Sequence, residues 1–203
     1  MAAPAPAPAP ARERILHSAR SLFAARGLRA VGVDTLIADS GVAKATFYKH
    51  FPAKDDLILA YLDAEDADLS SVFARAADSA AAPADRLAAV ADALSGIASA
   101  PGYRGDAFLN AAVEMPPGTR VHDRVLQQRA ARRAWLAGLA EEAGAPDPQA
   151  LADDLTVLID GALAPGVVAA GDPGPAARAA AQARRVVKRA LKESRGKGAR
   201  KKK

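Results

Sequence analysis

Apolar side chains recur along this chain mostly at helical spacing. Ile15, Leu16, Ala19, Leu22 and Phe23 fall at i, i+1, i+4, i+7 and i+8, one stripe of a helix that starts near Ala11 and stops at Gly27. A short second helix turns Val33, Leu36 and Ile37 inward, and Gly41 with Val42 breaks it before a third begins near Lys44. Phe47 and Phe51, four apart, share the core side of that third helix, which Pro52 ends by barring α geometry at Phe51. A long fourth helix follows from about Lys54, with Leu57, Tyr61 or Leu62, Leu69 and Phe73 inward. Prolines then divide the remainder into helices near 84–98, 106–115, 119–144, 148–170 and 174–193, the fourth of these kinked at Pro165 and Gly166.

The spacing predicts an all-α fold of about nine helices. Alanine dominates an apolar share of 50%, aromatics make up only 4%, and period-two alternation of β-branched residues is nearly absent, so no sheet is expected. The organisation expected is a disordered Ala/Pro lead over 1–11, a helix-turn-helix domain over 12–54, a helical domain over 55–193 and a disordered basic tail over 194–203. The lead lacks the apolar core of a signal peptide, and no run of about 18 apolar residues occurs, so a soluble, unprocessed, cytoplasmic protein with no membrane partner is expected.

Charge divides the chain into three parts. Residues 1–54 carry +5, residues 55–187 carry −8, and residues 188–203 carry +8. All nine lysines lie in the two basic parts, three of them at Lys44, Lys49 and Lys54. Basic ends around an acidic middle point to a polyanion as partner for the ends alone. There is no cysteine, and no two of His17, His50 and His122 share a helical face, so disulfides and thiolate metal sites are excluded and no metal or cofactor is expected.

The densest chemistry lies in "SGVAKATFYKHFPAKDDL", Ser40 to Leu57. Two short helices about a glycine-containing turn have helix-turn-helix spacing, and Lys44, Thr46, Tyr48, Lys49 and His50 spread around the outer arc of the second. Tyr48 is divided evenly between a core role and a phosphate contact. Further along, Asn110 and Glu114 share a face of an otherwise apolar helix, so either they satisfy each other and a neighbouring helix end, or they line a cavity where a ligand or water does so. Phe108 and Trp135 are candidates for the same wall, Asp160 on a mostly apolar helix is a third polar candidate, and Gly161 marks a close approach to a partner subunit. Arg132 and Arg133, near Glu141 and Glu142, read as a solvated face.

The order of elements, together with "GVAKATFYKHFPAKDDL", resembles the TetR family of transcriptional regulators over roughly residues 12–62. The stretches "RGDAFLNAAVEM" and "RRAWLAGLAEEAG" resemble a subset of the family's C-terminal domains. The resemblance implies a homodimer joined through its last two long helices, a ligand cavity among the central helices, and repression relieved by a small-molecule effector. It also implies that Lys44, Thr46 and Lys49 reach base edges in the major groove, that Tyr48 and His50 contact phosphates, that Lys54 at the start of helix four does likewise, and that Thr35 touches the DNA backbone. Two positions depart from the family pattern: Gly32 and Ala43 stand where a capping Ser or Thr is usual.

The function expected is a ligand-responsive repressor that binds a palindromic double-stranded DNA operator as a homodimer. The alternative is a sequence-indifferent DNA-coating protein that uses both basic ends. Catalysis is not expected, since the sequence has no cysteine nucleophile, no glycine-rich phosphate loop after a strand and no paired His and carboxylate motif.

Overall fold

A computed structural model describes residues 9–101, 103–164 and 174–200, with side chains to residue 192. Among the described residues there are nine helices and no strand. They are α1 (Ala11–Arg26), α2 (Val33–Ser40), α3 (Lys44–His50), α4 (Lys54–Asp78), α5 (Pro83–Ala98), α6 (Ala107–Glu114), α7 (Arg120–Glu142), α8 (Pro148–Leu163) and α9 (Gly174–Arg200). No helix of the described residues is long and apolar enough to cross a membrane.

The chain forms two compact units, Met1–Ala64 and Glu65–Lys203. The expected boundary near residue 54 therefore moves ten residues onward, because the first turns of α4 complete the core of the first unit. Leu57, Ile58, Tyr61 and Leu62 are all buried there, and the Tyr61 ring meets Phe23 edge-on at 5.4 Å.

In the first unit α1 packs on α2 and α3. Its stripe of Ile15, Ala19, Leu22 and Phe23 is buried, as are Leu36 of α2 and Phe47 of α3. Gly41 makes the turn between α2 and α3 in the left-handed region, φ 62° and ψ 31°, where a Cβ would be strained. Phe51 ends α3 in extended geometry before Pro52. At the start of α4 the Asp56 carboxylate accepts the Ala53 N–H at 3.0 Å, half of a capping box.

In the second unit α9 packs against α5 and α8, and α7 packs against α5, α6 and α8. Leu87, Val90 and Leu94 of α5 meet Leu136 and Ala140 of α7, Leu155 and Ile159 of α8, and Val187 of α9 in one cluster. Helix α9 buries Ala176, Ala180, Ala183 and Val187, a narrow seam at helical spacing. Three N-caps set the helix starts: Asp106 for α6, Thr119 for α7 and Asp147 for α8.

Two helix ends differ from the sequence expectation. Helix α8 stops at Leu163 rather than 170, because Pro165 forces the residue before it out of α geometry and Ala164 is extended at φ −63° and ψ 136°. The expected kink at Pro165 and Gly166 lies outside the described residues. Helix α9 runs to Arg200 where an end at 193 and a disordered tail were expected, its Lys and Arg residues being good helix formers that offset two glycines at about 1 kcal/mol each. Residues 1–8 of the Ala/Pro lead and 201–203 of the tail also lie outside the described residues.

Arg132 corrects a sequence expectation outright. Instead of lying on a solvated face, its side chain is only 8% exposed, and it donates to Asp106 at 3.1 Å and to Asp160 at 3.4 Å. Asp106 is 1% exposed; its other carboxylate oxygen accepts the Phe108 and Leu109 amides at 2.7 and 3.1 Å, and its own N–H donates to the Leu163 carbonyl at 3.0 Å. One aspartate thus joins α6, α7 and the end of α8. Arg133 pairs with Asp153 and Gln149 at the surface, as a solvated residue would.

Replacing Arg132 by Met strands the Asp106 carboxylate in the interior. Urea unfolding is expected to show a loss of about 3–5 kcal/mol, against less than about 0.5 kcal/mol for Arg133→Met.

Candidate functional site

The first candidate is the outer surface of α2 and α3. Core contacts of Phe47 and Phe51, whose centroids lie 6.3 Å apart, fix the roll of α3 and so decide which residues face outward. Thr35, Lys44 and Lys49 are exposed, and Thr46, His50 and Lys54 are half-buried. Tyr48 is 42% exposed, its ring packed edge-on against Phe47 at 5.5 Å. That combines both expectations for it, since the ring leans on the core while the residue keeps an open side. Lys44 lies 3.9 Å from Asp34, both widely exposed, so the pair is weak and open to competition from another anion. Lys54 donates to the Arg29 carbonyl at 3.5 Å.

Ala43 occupies the N-cap position of α3 with φ −67° and ψ 147°, and it supplies no side-chain bond. Gly32 does the same for α2. Both departures noted in the sequence therefore stand at the helix starts.

The second candidate is a pair of cavities in the second unit. The larger, about 550 Å³, is walled by Leu69 and Val72 of α4, Ala93 and Ile97 of α5, and Ala107 and Phe108 of α6. Tyr103, Glu65, Asp68 and Asp106 supply its polar groups. The smaller, about 190 Å³, lies between α6, α7 and α8, with Arg129, Arg132, His122 and Asp160 on its wall. Phe108 borders both and carries the Arg124 guanidinium 5.2 Å above its ring. Arg124 in turn pairs with Asp66 at 2.8 Å.

Of the five residues considered for a ligand, Phe108 and Asp160 border these cavities. Trp135 instead stacks on Phe73 in the core, ring centroids 6.4 Å apart and planes 13° from parallel. Asn110 and Glu114 border neither cavity. The wall residues Val72, Ile97 and Tyr103 were not singled out from sequence. They are ordinary apolar and aromatic positions, and no local signal separates a cavity wall from a core. Asp160 sits between Arg129 at 2.5 Å and Arg132 at 3.4 Å, yet burial outweighs both and pushes its pKa above the usual carboxylate range. No group of three or more His, Cys, Asp or Glu among the described residues could hold a metal ion.

Two short helices about a left-handed glycine, with cations and hydroxyls on the outer arc of the second, define a helix-turn-helix DNA-binding protein. The family model described as "Bacterial regulatory proteins, tetR family" matches residues 15–61. A TetR-family transcriptional regulator from Streptomyces coelicolor is 36% identical, with 91% of this chain and 95% of that one covered and a TM-score of 0.79. Regulators from Rhodobacter sphaeroides and Chloroflexus aurantiacus share the fold at 25% and 23% identity, with TM-scores of 0.69 and 0.77. The first covers 87% of this chain and 98% of its own, the second 88% and 94%. None of the curated proteins compared with the chain matches it. The chain belongs to the TetR family of transcriptional regulators.

Restoring the missing cap, Ala43→Ser, is expected to add about 1 kcal/mol to the unfolding free energy of the first unit, read from thermal or urea melts. For Asp160 the folded carboxyl keeps its proton to higher pH than the unfolded one, whose pKa is about 3.9. Its contribution to stability is therefore present at low pH and lost as pH rises from about 4 through the raised value. Urea unfolding at pH 4 and pH 7 should show the wild type losing ground to Asp160→Asn at the higher pH.

Proposed function

We propose that the protein is a repressor that binds a two-fold symmetric operator as a homodimer and is released by a small-molecule effector held in the larger cavity. The observation that carries this reading is the outer arc of α3, where Lys44, Thr46 and Lys49 leave a core fixed by Phe47 and point to solvent. In this reading those three meet base edges, while Tyr48, His50, Lys54 and Thr35 hold phosphates and sugars. Lysine and hydroxyl side chains suit those partners, and the open Lys44–Asp34 pair leaves Lys44 available.

Dimerisation is supported by the outer face of α8. Val157 is 66% exposed there, and Gly161 has open space where a Cβ would stand, so a second copy's helix can come close. A two-fold dimer would place its recognition helices in successive major grooves, about 34–36 Å apart. An apolar cavity that favours one conformer shifts the population by typically about 1–3 kcal/mol, enough to release DNA at moderate effector concentration.

The test is selection of bound duplexes from a random pool with the purified protein. A symmetric consensus is expected, and enrichment of asymmetric or random sequence would reject the reading. On the selected duplex, Lys44→Glu with Lys49→Glu should weaken binding by at least about a hundredfold, given about 1–3 kcal/mol for each base contact. Fluorescence-anisotropy titration would measure it.

A further inference from the structure

We propose that the larger cavity takes a lipophilic organic cation. This rests on the reading of that cavity as the effector site. The cavity's charge sets it apart. Arg129 and Arg132 border the small cavity, Arg184, Lys188 and Lys192 the groove between α5 and α9, and Arg189 the one between α8 and α9. Among the described residues bordering the larger cavity there is no Lys, Arg or His, although the chain holds 28 Lys and Arg.

Its ionisable side chains are carboxylates. Asp106 is balanced by Arg132 and by the α6 amides, so the asymmetry comes from Glu65 and Asp68 on α4. Glu65, Asp68, Leu69 and Val72 follow one another at three- and four-residue steps, which sets both carboxylates on the face of α4 that carries the apolar wall. An anion entering here would give up its hydration beside like charge with no counter-ion on the wall. A cation with apolar or aromatic substituents meets the opposite situation. Its substituents fit against Leu69, Val72, Ile97 and Phe108, the carboxylates attract its charge, and the ring of Tyr103 offers a face for it. Phe108 already accepts a cation in this way, from Arg124 at 5.2 Å.

The experiment is calorimetric titration of the full-length protein with three probes of similar shape: tetraphenylphosphonium, neutral triphenylphosphine oxide and tetraphenylborate. The cation should bind at least about tenfold tighter than the anion, with the neutral probe between them. Glu65→Gln with Asp68→Asn should cut cation affinity at least about fivefold and narrow the gap between cation and anion, with the melting temperature unchanged. Leu69→Trp, which fills the cavity, should abolish binding of all three. Equal or tighter binding of the borate, undiminished phosphonium binding by the double variant, or no phosphonium binding at all would overturn the proposal. Duplex binding on the same preparation separates the two readings. A protein that holds its selected duplex but ignores phosphonium refutes the cation and leaves the regulator standing. A protein that prefers phosphonium yet selects no duplex supports the cavity assignment and refutes the regulator.

Discussion

The second unit depends on one buried ion pair. Asp106 and Arg132 are nearly sealed from solvent, and such a pair survives in the interior only if each remaining hydrogen-bonding position is also filled. Here they are filled by parts of three helices: the first amides of α6, the Asp160 carboxylate of α8, and the Leu163 carbonyl, which takes the Asp106 N–H. The pair therefore acts as a register pin. It sets where α6 begins and how far α7 slides along α8, and the floor of the larger cavity follows, since Ala107 and Phe108 come directly after the pinned residue. A core built so largely of alanine has little shape of its own to prevent sliding, and the charged pin supplies the specificity that bulky side chains would otherwise give.

The first unit solves a different problem. A helix of seven residues is too short to persist on local propensity, so α3 holds its shape through Phe47, Phe51 and the left-handed turn at Gly41. That division leaves its outer side free of structural duty. Lysines and hydroxyls can stand there without weakening the fold, and the missing cap at Ala43 leaves α3 more dependent on its core contacts than a capped helix would be.

Legibility in the sequence followed the same division. Helix-turn-helix geometry is local: the Phe47 and Phe51 spacing, Gly41 and Pro52 define it within a dozen residues, and the exposed positions follow from helical periodicity. The ends of α8 and α9 were harder. The expected continuation to 170 gave too little weight to the restriction Pro165 places on Ala164, and the expected stop at 193 gave too much to the glycines beyond it. Arg132 shows where local reading fails. Its neighbours in sequence are polar, but its partners lie 26 and 28 residues away, and no nearby pattern distinguishes an arginine that dives inward from one that does not. The cavity was equally hidden, because a wall is an absence of packing, which only the assembled helices define.

The stacking of the single tryptophan on Phe73 makes the molecule its own optical instrument. Phe73 follows directly on Val72, which borders the larger cavity, so an indole held parallel to that ring senses small displacements of the α4 wall. With no second indole to dilute the signal, its emission reports on that wall without any attached dye.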